Sequence, residues 1–125
     1  MEATELMIGD WVSYRGVFNQ IAPADFDPDH KMWMEEIKPI SLTPEILEKN
    51  GFVKNRGVTS WKFETDREDL IDIYGVKEYH LSINIEDTHG SGKGYRWLLN
   101  NLTIFYVHQL QHALRLCGIK KEIKL

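Results

Sequence analysis

The sequence predicts an α+β fold: mainly antiparallel β, with an N-terminal hairpin or SH3-like region, a short capped helix, and a C-terminal helix packed on the sheet. Three stretches carry that expectation. In Thr103–Gly118, Val107, Leu110, Leu114 and Cys117 recur at steps of three and four, which places them on one stripe of a 3.6-residue helix. In Glu78–Glu86, Tyr79, Leu81, Ile83 and Ile85 alternate with His80, Ser82, Asn84 and Glu86, the pattern of a strand with one buried and one solvated face. Thr43–Gly51 begins Thr-Pro-Glu and ends in glycine, the punctuation of a short helix.

Taken in order, Ile8–Tyr14 and Val17–Ile21 read as strands joined by a turn at Arg15-Gly16. Ala22–His30, with two prolines and three aspartates, reads as a loop. Lys31–Ile40 resumes as a strand that ends at Pro39 or lies at an edge, because proline cannot donate to a ladder. The Thr43–Gly51 helix takes Thr43 as N-cap, Pro44 at its first turn and Gly51 beyond its end, with Leu42 and Leu47 as a hydrophobic staple and Phe52 folded back on Leu47. Trp61–Glu64, Leu70–Tyr74 and Gly94–Asn100 complete the strands, with a turn at Asp66–Asp69. In the last strand Tyr95, Trp97 and Leu99 are expected inward.

The C-terminal helix takes Asn101 or Thr103 as its cap and Gly118 as its stop. Tyr106, Ala113 and Leu116 widen its apolar stripe, while His108, Gln109, Gln111, His112 and Arg115 fill the solvated side. The Tyr79–Ile85 and Tyr95–Leu99 strands supply apolar faces for it, and Glu122–Leu125 reads as a final short strand. The whole suits one domain, residues 1–125, with a sub-division into a hairpin or barrel-like region over 1–41 and an α+β region over 42–125.

Composition narrows function mostly by exclusion. A net charge of −4 supplies no general attraction to nucleic acid or anionic membrane. Cys117 is the only cysteine, so no internal disulfide forms, and its place on the stripe reads as a small buried hydrophobe. The N-terminus lacks the basic and apolar regions of a signal peptide, and no stretch reaches the length of a membrane span. A cytoplasmic location is expected, with no cofactor.

Four motifs suggest chemistry, and each is incomplete. His108 and His112 stand at i, i+4, the spacing of two zinc ligands on a helix, yet Gln-Leu-Gln between them lacks the glutamate of the metalloprotease motif. His30, His80 and His89 are candidate third ligands with nothing to select among them. Asp25, Asp27, Asp29 and Glu36 match positions 1, 3, 5 and 12 of an EF-hand loop, but His30 stands where glycine is needed and Pro28 intervenes. His89–Gly94 echoes a phosphate loop, but Asp87 replaces the first glycine and a strand follows in place of a helix. Arg15, Lys38, Arg56, Lys62 and Arg96 among many aromatics sketch a nucleic-acid groove, but the chain is net acidic and no basic cluster precedes the C-terminal Lys120, Lys121 and Lys124.

Three segments carry a resemblance: Glu5–Val12, Ile37–Leu47 through Gly51-Phe52, and Tyr106–Gln111. Their order and spacing resemble a family of small uncharacterised proteins from Bacteroidetes genomes. That resemblance implies a bacterial origin and an α+β fold, and it supplies no catalytic residue. The expected function is a non-enzymatic interaction module, linked to a phage or mobile element, with an unknown protein partner and a binding face at Trp11, Tyr14 and Trp33. The alternatives are a small metal protein or enzyme using His108 and His112, and a small-barrel nucleic-acid binder.

Overall fold

The computed structural model describes residues 6–22, 36–55, 59–65, 69–75, 78–87 and 94–125, with backbone alone at 85–87 and 94–95. Trp33, the acidic 25–29 turn, the 66–68 turn and the 88–93 loop lie outside those residues. The described residues form the α+β architecture that the sequence predicts, in two antiparallel sheets. The chain divides into two compact units, one joining the residues up to Leu42 with Tyr106–Ile123, the other spanning Thr43–Phe105 with Lys124.

In the first unit, β1 (Trp11–Tyr14) pairs antiparallel with β2 (Val17–Gln20) on one side and with β3 (Ile37–Pro39) on the other. Arg15 and Gly16 join β1 to β2 with φ of 50° and 79°. Two successive positive φ values give a turn whose twist matches the strands it joins. Pro39 ends β3 at the sheet's edge, where its missing N–H breaks no inner ladder. Leu6, Val12, Ile21 and Ile37 form a buried cluster, with Tyr14 packed on it. Arg15 reaches Glu36 at 2.7 Å, and that hydrogen bond holds the Glu36 carboxyl below its usual range.

Helix α2 (Val107–Leu116) belongs to this unit and contacts β1. Its expected start is corrected. Neither Asn101 nor Thr103 caps it; Tyr106 is the N-cap, and its N–H donates to Gln109 Oε1 at 3.1 Å. The preceding residues remain in a strand through Ile104. Val107, Leu110, Ala113 and Leu114 are buried as the stripe requires. The polar side needs two corrections, because His108 and Gln111 are buried as well. Leu116 does not widen the stripe; it is 79% exposed. The stop at Gly118 is as expected. With φ of 72° it lets its own N–H reach Arg115 O at 3.0 Å and the Ile119 N–H reach Leu114 O at 2.9 Å.

The second unit opens with α1 (Pro44–Lys49). Thr43 Oγ1 accepts from the Ile46 N–H at 3.3 Å, Pro44 occupies the first turn, and Gly51 has φ of 87°. The Phe52 N–H closes the helix onto Leu47 O at 3.1 Å and the Gly51 N–H onto Glu48 O at 3.1 Å. Thr43→Ala is expected to lower stability by about 1 kcal/mol, measured by chemical denaturation.

Five strands follow: β4 (Val53–Lys54), β5 (Ser60–Glu64), β6 (Leu70–Gly75), β7 (Tyr79–Asp87) and β8 (Gly94–Ile104). They lie in sequence order, each antiparallel to the last. Trp61, Ile71, Ile73, Leu81 and Ile83 fill its buried face, with the Trp61 and Tyr79 rings edge-on at 6.2 Å. Burial raises the Tyr79 phenol above its ordinary pKa, and Glu45 adds to the rise.

Two irregularities separate β8 from its expected form. The register against β7 shifts between Leu81 and Ile83 and again between Ile83 and Asn84. Each bulge adds a residue to β8 and turns the following side chain over. Trp97 therefore stands opposite Asn84 on the solvent side, 52% exposed, rather than inward with Leu99. Asn101 takes φ of 59° at the first bulge, and Ser82 Oγ accepts its N–H at 3.0 Å.

Glu122–Leu125 is not a strand. Asn50 substitutes for a pairing partner: its Oδ1 accepts the Lys124 N–H at 2.7 Å, and its Nδ2 donates to Lys124 O at 2.8 Å. Among the described residues no helix is long and apolar enough to cross a membrane.

Candidate functional site

Within the first unit, the polar residues of α2 converge on Asp10. This carboxylate immediately precedes β1 and has no solvent-accessible surface. Arg115 Nη1 donates to its Oδ1 at 2.8 Å; the Met7 N–H donates to Oδ2 at 2.7 Å, where His112 Nε2 also lies at 2.5 Å. His112 and Arg115 are three residues apart, so one helix face presents both. Removing a carboxylate from water is costly unless charge and hydrogen bonds compensate, and here three donors do so.

Gln111 extends the same junction. Its Oε1 accepts the Trp11 N–H at 2.9 Å, and its Nε2 donates to Gly9 O at 2.9 Å. A single side-chain amide thus bonds to the backbone at the start of β1 and just before it, as a neighbouring strand would. The Trp11 indole N–H donates to Ile123 O at 2.6 Å. These bonds join helix, strand and C-terminal segment within one unit.

Of the metal candidates, His112 uses Nε2 on Asp10, and its ring meets His108 edge-on with centroids 5.5 Å apart. His108 is 5% exposed and stacks on Tyr106 at 5.8 Å with an interplanar angle of 9°. The expected solvated position of His108 is thereby corrected: with Val107 and Leu110 it lines the helix's buried side. Among the described residues no three His, Cys, Asp or Glu side chains are grouped to hold a metal ion. His30 and His89 lie outside the described residues.

Of the expected binding face, Trp11 and Tyr14 are half-buried, and Arg15 lies over the Tyr14 ring at 5.2 Å. Trp33 lies outside the described residues.

Sequence reasoning did not single out a surface on the second unit. On the solvent side of the five-stranded sheet, register sets Lys62, Asp72 and Ser82 in one row, Ser60, Tyr74, His80 and Thr103 in a second, and Leu70, Asn84 and Trp97 in a third. The Tyr74 and His80 rings stack at 5.1 Å, and the Tyr74 hydroxyl donates to Asn101 Oδ1 at 2.6 Å. Strand β8 forms the sheet's edge, with no described strand on its outer side. Trp97, Leu98 and Leu102 are exposed along it, and Phe105 is exposed just beyond its end. The sequence held one signal of this edge: from Gly94 to Ile104 there is a single charge, Arg96, and no proline.

The geometry defines a two-sheet α+β protein with an apolar strand edge that no described strand covers. No family model, curated protein or solved structure matches the chain.

Proposed function

We propose that the chain is a non-enzymatic interaction module that receives a segment of a protein partner as an added strand along β8. The observation that carries this reading is the character of that edge. Natural sheets blunt a long free edge with lysine, proline or cover, because its unpaired N–H and C=O groups template further pairing. β8 has eleven residues, one charge and no proline, and it exposes Trp97, Leu98 and Leu102. An added strand would satisfy the free backbone groups, while apolar side chains set register. The two bulges bend β8 and divide it into short pairing runs, favouring a partner segment of a few residues.

The setting that fits is a bacterial cytoplasm, with this chain serving a phage or mobile element; the resemblance of its Glu5–Val12, Ile37–Leu47 and Tyr106–Gln111 segments supports the bacterial origin alone. The test places a photo-crosslinking residue at Leu98 or Leu102 in the native cell, with exposed Glu48 as control. Both β8 positions should give one adduct of the same mass, absent from the control. Adducts that are missing, or equal at all three positions, would overturn the reading.

A further inference from the structure

We propose that the solvent-side face of the β5–β8 sheet binds a guanidinium group, carried by an arginine of the protein partner. The inference rests on the interaction-module reading and names the chemistry that the partner must bring. Three side-chain atoms on this face are shielded from solvent and have no hydrogen-bond partner among the described residues: Asp72 Oδ1, His80 Nδ1 and Asn84 Oδ1. A buried polar atom left unpaired is costly, and natural structures seldom tolerate one without a reason. Here three occur within one patch of one sheet. Asp72 stands directly opposite Ser82, while His80 and Asn84 lie two residues to either side of Ser82 on β7. Each is thus a diagonal neighbour of Asp72, about 7–8 Å away along the sheet and within reach of one bridging group.

Asp72 Oδ1 and Asn84 Oδ1 accept, and His80 Nδ1 accepts in the tautomer protonated on Nε2, so the complementary ligand is rich in donors. The local charge agrees. Among the described residues Asp72 is ion-paired with Lys62 alone, at 4.0 Å and without a hydrogen bond, and Glu64 lies on the same face. Flat aromatic surface completes the recognition: Trp97 is exposed beside Asn84, and the Tyr74–His80 stack stands on the opposite side of Asp72. Arginine suits this surface better than lysine. Its planar fork stacks on a ring while donating sideways to several oxygens, whereas an ammonium is a hydrated point charge. Asp72, His80 and Asn84 are themselves half-buried, so side-chain rotation can turn each acceptor toward an arriving donor. Bound at Trp97, such an arginine sits next to β8, where the same partner's backbone would pair.

The test uses the full chain and a blocked Arg-Gly-Arg-Gly-Arg-Gly peptide, followed through the Trp97 indole N–H in nitrogen-15 NMR. That resonance is assigned by its loss in Trp97→Phe. The peptide should shift it saturably. Asp72→Asn and Trp97→Ala, with their spectra still dispersed as in the parent, should each weaken binding about tenfold or more, followed through other shifting resonances in the second. Replacing arginine by neutral citrulline should weaken it likewise, and lysine should bind less tightly than arginine. Absence of saturable binding, equal binding of the citrulline peptide, or indifference to both substitutions would overturn the proposal. So would single-stranded oligouridine that shifts Trp97 and displaces the peptide. Failure here leaves the β8 crosslinks unaffected, so the two readings are separable.

Discussion

Asp10→Ala should cost the chain about 3 kcal/mol of stability, read from the midpoint of chemical denaturation. A buried ion pair broken by deleting one partner costs roughly 3–5 kcal/mol, chiefly through the charge left behind. The lower end applies because the His112 and Arg115 side chains are about one-third exposed and can regain water. The Met7 N–H also loses its acceptor. Asp10→Asn removes the charge but keeps one acceptor oxygen, so it should fall between parent and Asp10→Ala. If Asp10→Ala is silent, the carboxylate does not hold helix and strand together.

Leu110→Ala should cost about 2–5 kcal/mol, the range for truncating a buried leucine whose cavity only partly collapses. Leu110 has no exposed surface, and α2 sets it between buried Val107 and Leu114 on the stripe. Leu116→Ala, six residues later on the same helix, should change stability by no more than about 0.5 kcal/mol. The same denaturation series measures both, and equal effects would contradict the assigned orientation of α2.

Leu116 also shows where sequence pattern reaches its limit. Periodicity placed Val107, Leu110 and Leu114 correctly, because three residues at helical spacing define a direction that a sheet or core must cover. It could not rank the flanks of that stripe. Polarity alone assigns His108 and Gln111 to the solvated side, yet both are buried, each with local reasons: a ring stack on Tyr106 and two backbone bonds at Gly9 and Trp11. Such reasons depend on what lies opposite, and Gly9 is 102 residues from Gln111 in sequence. Asp10 was invisible for the same reason. His112 and Arg115 share a helix face that calls for an acid, but nothing local chooses among the chain's 19 acidic residues.

Local punctuation proved more legible. The Arg15-Gly16 turn, the Thr43 cap with Pro44, and the Gly51 and Gly118 stops are each fixed by backbone geometry within a few residues. The start of α2 was misplaced because Asn101 and Thr103 are good caps by composition, while Leu99–Ile104 is equally a strand sequence. Pairing with β7 decided between them. The β8 bulges had no signal in sequence at all. They moved Trp97 to the solvent side and so produced the surface on which the functional reading depends.

The openness of β8 is therefore the point most directly put to measurement, by amide hydrogen exchange on the dilute purified chain. Amides of β8 that bond to β7 should be protected, and those pointing outward should exchange at nearly the rate of solvent-exposed groups. Protection of the outward set in the dilute monomer would mean that the edge is already covered by the chain itself, and would contradict its use as a binding edge.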